Sequence, residues 1–370
     1  MTKALEWRLP LVLVLVLLWV PACAREPRVA VIGMTGLPPD TLYLGGMEDS
    51  LMTGPHPTRV EIFDGGQSSD AYRSALESAR HVVEMPGLVA VVGHRDSRST
   101  LVVGPVYRDD GIPLVVPNAT SRAIRKLGPR VFMMSVDNGE EGTFLAEVAV
   151  DSLHARQVSV FHLSDEFGTD IDEGIRSALG RDGVMLLDDV EYGVKRQVCP
   201  DDFAALVEAS LLRGEPDVVI LASRTRDARC IARLFGERSP SVRFLAADAV
   251  DPGDSLLLGL GGVARSAWVT QFWSPFRDSA SGAFAADYER RTGVRPTQGE
   301  ALRWDGVHLV AAAVREVGPD RDRVTAYLQD LGRGRPPYHG VTGDISFGAG
   351  AHHPLILVDP SGRPVSERER

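Results

Sequence analysis

The sequence has little of what enzymatic chemistry usually requires. It contains no Gly-x-Ser-x-Gly elbow and no Gly-Lys-Ser/Thr phosphate loop. Its histidines are scattered: His94, His154, His162, His339 and the His352-His353 pair stand at no metal-ligand spacing from cysteines or carboxylates. They read as surface residues, and no metal is expected. Basic charge is also short. The net charge of the 370-residue chain is −10, and no long basic run interrupts it, so nucleic acid is a poor partner. Long apolar runs are nearly absent. Leu11 to Val20 is wholly apolar but too short for a comfortable membrane span, and no second such run follows. No enzyme and no cofactor are expected.

The short apolar run has a different meaning. Lys3 and Arg8 precede or flank it, and Pro21-Ala22-Cys23-Ala24 follows, so residues 1–23 read as an export signal. Cleavage before Cys23, with lipidation of its thiol, resembles the bacterial lipoprotein pattern. Val20 and Pro21 depart from it where leucine and a small residue are usual. Cleavage after Ala24 fits the residues too. Either route places the mature chain outside the cytoplasm, in the periplasm or at the cell surface, with a lipid anchor in the first case. There Cys199 and Cys230 face oxidising conditions, and an even pair in an exported chain suggests a disulfide; two buried free thiols are the other reading.

The rest is organised around Leu88 to Arg122. Leu88–Val92 and Pro113–Val116 are short apolar runs of the kind buried on both faces of a sheet. Each hands over to a polar loop that opens a helix. Ser99 or Thr100 is the expected cap of the first helix, and Pro117 to Ser121 opens the second. Loops at the carboxyl ends of parallel strands are where α/β proteins bind ligands. Hydroxyls and free N–H groups at helix starts suit an anion. Any one of Ser97, Ser99, Thr120 and Ser121 reads as a cap, but two such loops one crossover apart point to a site.

Strand and helix patterns alternate on both sides of this stretch. Residues 28–34, 59–63, 88–92 and 113–116 are expected strands, with helices between them, one of them over 43–52. A second series follows, with strands near 157–163, 184–190, 217–222 and 242–247. The fold class is therefore α/β, with two doubly wound parallel-sheet lobes. After Asp248 the rhythm changes to long helices over 280–292, 300–317 and 321–331, a glycine- and proline-rich segment to Gly343, and short strands at 344–347 and 354–358.

In order and spacing, VAVVGHRDSRST, GIPLVVPNATS, FHLSDEFGTDIDEGIRSAL, DDFAALVEASLLRGEPDVVILA, FLAADAV and GVTGDISF resemble the periplasmic branched-chain amino-acid binding proteins of ABC transporters, the leucine/isoleucine/valine type. The similarity covers nearly all of the mature chain. It implies a type I periplasmic binding protein fold with a three-crossing hinge, one lobe over 28–135 and 272–338 and the other over 136–271 and 339–364. It also implies an amino-acid ligand between the lobes and an ABC permease as partner. By that resemblance the ligand carboxylate falls to Ser97, Asn118 and Thr120, and the ammonium to Asp248. Phe167 matches an aromatic pocket wall but lacks a hydroxyl. Arg224 stands where the leucine binders have a tyrosine, which points to an acidic ligand or one with a second polar acceptor. A sensor of the same fold that signals to a protein partner is the alternative to a transport receptor. A hydrolytic lipoprotein is a third reading, disfavoured by the missing nucleophile–base arrangement.

Overall fold

The computed structural model describes residues 27–34, 56–64, 71–94, 96–193, 199, 201–253, 266–347 and 355–365. The leader with Cys23 and the helix expected over 43–52 lie outside them. Among the described residues no helix is long and apolar enough to cross a membrane.

The first sheet has the order β2-β1-β3-β4-β5, all parallel: β1 Arg28–Met34, β2 Arg59–Asp64, β3 Leu88–Val92, β4 Leu114–Val116 and β5 Val131–Met133. Every residue of β3 and β4 is buried. Helices cover both sides of this sheet, so its strands are apolar throughout instead of alternating. On one face Val91, Leu114 and Val116 meet α1 (Ala71–Val83) and α2 (Ser97–Asp109) through Ala75, Ala79, Val103 and Tyr107. On the other, Val92 and Val115 meet Val307, Val310 and Val314 of a helix from far along the chain.

The second sheet has the order β13-β10-β9-β8-β6-β7. It contains β6 Gln157–Leu163, β7 Met185–Tyr192, β8 Val218–Ala222, β9 Arg243–Ala246, β10 Ala267–Gln271 and β13 Ile356–Val358. Only β13 runs antiparallel, along β10. One face carries α5 (Asp201–Arg213) and α6 (Thr225–Arg238), whose Phe203, Val207, Ile231 and Phe235 pack on Phe161, Val219 and Leu221. The other carries α3 (Asn138–Glu147) and α4 (Glu166–Asp182), with Leu145, Ile171 and Ile175 on Val160, Ile220 and Leu245.

Helices α3 and α4 pack backbone to backbone. A Cβ on Gly142 would lie 2.1 Å from the Ile171 carbonyl oxygen, and one on Gly174 would lie 2.3 Å from that of Gly139. Glycine at both positions is therefore a packing requirement.

Core membership defines where the chain passes between lobes. Met134 and Val136 pack in the first core and Leu145 in the second; Val269 is in the second and Phe272 in the first. From there α7 (Ser279–Thr292), α8 (Gln298–Val317) and α9 (Arg321–Asp330) follow, and α8 and α9 cover the first sheet. The third passage differs from the expected one. Tyr338, Ile345, Phe347 and Leu355 all pack in the first core, and Ile356 is the first residue in the second. The resemblance implied that residues 339–364 belong to the second lobe. Instead β11 (Tyr338–Gly340) and β12 (Gly343–Ile345) form a hairpin, while β13 alone joins the second sheet.

Asp305 of α8 holds this hairpin. It is buried, and its carboxylate accepts from the N–H groups of Val341 at 2.9 Å and Thr342 at 2.7 Å and from the Thr342 hydroxyl at 2.6 Å. Asp305→Ala should lower stability by about 2–4 kcal/mol, because buried donors lose their acceptor. Chemical denaturation measures this, and an unchanged midpoint would show that water replaces the carboxylate. Cys199 and Cys230 are bonded, with Cα atoms 5.2 Å apart and a sequence separation of 31. Reduction should cost about 3–4 kcal/mol in the chain-entropy view. Two alkylatable thiols in native exported protein would contradict the pairing.

Candidate functional site

In each sheet the strand order reverses beside the first strand of the unit, and the loops at the carboxyl ends of strands open into a crevice at that point. The two crevices face one another. Between them lies a cleft of about 400 Å³ whose lining includes Ser97, Asn118, Thr120, Phe167, Arg224 and Asp248. The structure thus brings all six sequence-derived ligand residues into one cleft. A larger cavity of about 470 Å³ lies at the opposite, amino end of the first sheet, beside Gly87, Leu88 and Arg321. It gathers none of these residues.

The first-lobe wall is made by two helix starts. Helix α2 begins at Ser97, earlier than the expected cap at Ser99 or Thr100. Asp96 is the cap: its carboxylate accepts from the Ser99 N–H at 2.9 Å, and the Ser99 and Thr100 hydroxyls donate to its carbonyl. This turns Ser97 toward the second loop, where its hydroxyl accepts from the Ser121 N–H at 3.1 Å. Ser121 caps the helix that this loop opens, a 3₁₀ helix over Arg122–Leu127. Asn118 Oδ1 is buried without a partner, and the Thr120 carbonyl accepts from the Asn138 N–H at 2.9 Å. The wall therefore offers hydroxyl and amide groups beside two helix starts, the arrangement that suits a carboxylate.

The second-lobe wall carries charge. Asp165 caps α4, and the Arg224 guanidinium lies 4.6 Å from the Phe167 ring centroid and 3.6 Å from Asp165. The Arg224 side chain remains 52% exposed. At 4.6 Å its charge makes a cation–π contact with Phe167. Asp248 follows β9. Its carbonyl accepts from Gln271 and Gln298, each at 3.2 Å, and its Oδ1 is shut off from solvent without a donor. Burial pushes its carboxyl up to about 6, against a hydrogen bond from Glu141 and the positive charge of Arg224.

The lobes also touch beside the cleft. The Ser121 hydroxyl donates to the Glu166 carboxylate, and Arg122 pairs with Glu173 at 3.0 Å. Both contacts join the first lobe to α4.

Several residues here were not singled out from sequence. Glu141 and Gln298 are two of them. Neither carries a local signal, because each reaches the cleft only through tertiary packing. Two histidines expected at the surface are buried. His94 bonds Tyr107 at 2.9 Å, and burial lowers it to about 4. His162, Asp172 and Asp189 gather with ligand atoms within 4.8 Å of one another, a grouping invisible in linear spacing. Arg176 pairs with both aspartates there, so the cluster carries its own cation.

The chain belongs to the periplasmic binding protein family, whose model matches residues 57–356. That is a family of solute-binding proteins of the periplasm. An amino acid binding protein of Pseudomonas aeruginosa is 28% identical over 181 residues, 48% of this chain and 46% of that protein. The match thus spans about half of that relative's length. Leu/Ile/Val-binding protein homolog 1 of Brucella abortus is 23% identical over 80% of this chain and 76% of its own length. Among solved structures, the branched-chain amino acid transporter substrate-binding protein of Streptococcus pneumoniae in complex with isoleucine has a TM-score of 0.72 at 16% identity, covering 91% of this chain and 97% of that one. The fold is the type I periplasmic binding protein fold.

Proposed function

We propose that this protein is the solute receptor of an ABC importer and takes an amino acid or amino-acid-like molecule in its interlobe cleft. One observation carries the reading: helix starts and hydroxyls line one wall, and the Asp248 carboxylate lines the other. A zwitterion presents one charge to each. Its carboxylate fits against Ser97, Asn118 and Thr120, and its ammonium against Asp248. Contacts from one ligand to both lobes favour the closed arrangement, which a permease can distinguish from the open one. Export through the leader, with lipidation at Cys23, would hold the receptor at the membrane beside that permease.

Arg224 narrows the ligand. A guanidinium in cation–π contact with Phe167 offers a fork to a planar acceptor on the ligand side chain. A plain aliphatic side chain would leave that donor face unused.

A thermal-shift panel of the mature protein tests the reading. Amino acids, amides and small carboxylates are compared, and a ligand near 100 times its dissociation constant should add about 2.7 kcal/mol. No shift with any amino acid would contradict the assignment. Asp248→Asn should weaken an amino-acid ligand by about 1.5–3 kcal/mol, as for loss of a charge-assisted bond, with folding intact. Unchanged affinity in calorimetry would make Asp248 a strand-end charge only. Glutamate, aspartate and dicarboxylates are then set against leucine, isoleucine and valine. Arg224→Ala should abolish most binding of the acidic group, while Arg226→Ala should not. Tight binding of the aliphatic group alone would overturn the role of Arg224.

A further inference from the structure

Behind the cleft lies a carboxyl group that no ligand can touch. Glu141, in the first turn of α3, is completely buried. Its Oε1 accepts from the Asp248 N–H at 2.8 Å and from the Thr270 hydroxyl. Its Oε2 has no partner, and neither has the buried Oδ1 of Asp248. The Asp248 N–H bond sets the two carboxyl groups beside one another, each with a buried oxygen that has no partner.

Two ionised carboxylates hold only acceptors, so they cannot bond to each other and they repel. One proton between them supplies the missing donor. Asp248 also accepts from the Ala249 N–H and the Gln298 side chain, whereas Glu141 Oε2 has no partner. From the β8–α6 loop of the same lobe, the Arg224 charge acts on Asp248, and Asp165 pairs in turn with Arg224. From β10 comes Thr270 and from α8 comes Gln298, both uncharged. Burial is the main force raising Glu141, and the negative charge of Asp248 adds to it. Arg224 lowers Asp248 instead. Glu141 is completely buried while Asp248 lines the cleft, so the proton belongs on Glu141.

We propose that Glu141 is a positioning residue: it stands behind Asp248 as a neutral acid, donates its proton to the Asp248 carboxylate, and leaves the cleft one aimed negative charge for the cationic group of a ligand. The inference rests on the amino-acid reading of the cleft. It makes the subsite a match for a single ammonium instead of a doubly charged cation. Capture of that ammonium is lost as pH falls through about 6, where Asp248 takes a proton of its own.

Three readouts test it. Infrared spectra of the unliganded protein at neutral pH should show a buried protonated-carboxyl band that Glu141→Gln removes; absence of the band in the wild type overturns the proposal. In the second, L-leucine and L-glutamate are titrated into wild type, Glu141→Gln and Glu141→Ala. Glutamine keeps an N–H donor toward Asp248, so its affinity for whichever probe binds should stay within about twofold at neutral pH, whereas alanine should lose about tenfold or more. Equal losses in both variants would show that Glu141 acts as a charge, which contradicts the proposal. In the third, thermal stability is followed against pH. A carboxyl raised in the folded state stabilises while protonated, and that contribution is lost as pH rises. The wild type should therefore fall relative to Glu141→Gln toward alkaline pH, and parallel profiles would contradict a protonated Glu141. Should neither probe bind while the infrared band is present, the amino-acid reading fails and the protonation of Glu141 stands.

Discussion

Both sheets are covered by helices on both faces, and this constraint governs the rest. The central strands β3, β4 and β8 are buried at every residue, so they have no room for a polar side chain that meets solvent. Polar groups collect where the strands end. At the carboxyl ends the chain turns into helices, whose first N–H groups need acceptors and whose caps supply hydroxyls and carboxylates. Stacking two such lobes with these ends facing one another makes a cleft that is polar on both walls.

The charge on the second wall is held by packing as much as by bonding. Gly142 and Gly174 let α3 and α4 approach until a Cβ on either would strike a carbonyl oxygen. That approach fixes the first turn of α3 and hence the place of Glu141 under Asp248. On the opposite side, Gln298 at the start of α8 reaches the Asp248 carbonyl and the Phe272 N–H, so a first-lobe helix also grips this loop. Asp248 is thereby held from both lobes, while its Oδ1 is left without a donor.

Much of this was legible in the sequence because burial leaves a linear trace. The runs Leu88–Val92 and Val218–Ala222 are apolar without alternation, and both are two-sided strands. Asp137, Asp165 and Thr297 each precede a helix that they cap. The strand and helix patterns pointed to the two loops that hold Ser97 and Thr120, and the full set of six cleft residues came from the family resemblance. What was not legible depends on contacts distant in sequence. Glu141 and Asp248 meet across more than a hundred positions, and nothing local distinguishes Glu141 from Glu140, which completes the capping box. The hairpin at 338–345 was misplaced for a similar reason. Its allegiance is set by Asp305, far upstream, and not by its own short strands.

The most direct measurement is a crystal structure of the mature protein with the amino acid that stabilises it most. The carboxylate of that ligand should lie against Ser97, Asn118 and Thr120 and its ammonium against Asp248, with Glu141 beneath and outside contact. A ligand bound at another cavity, or reversed so that its carboxylate faces Asp248, would contradict the assignment of the cleft.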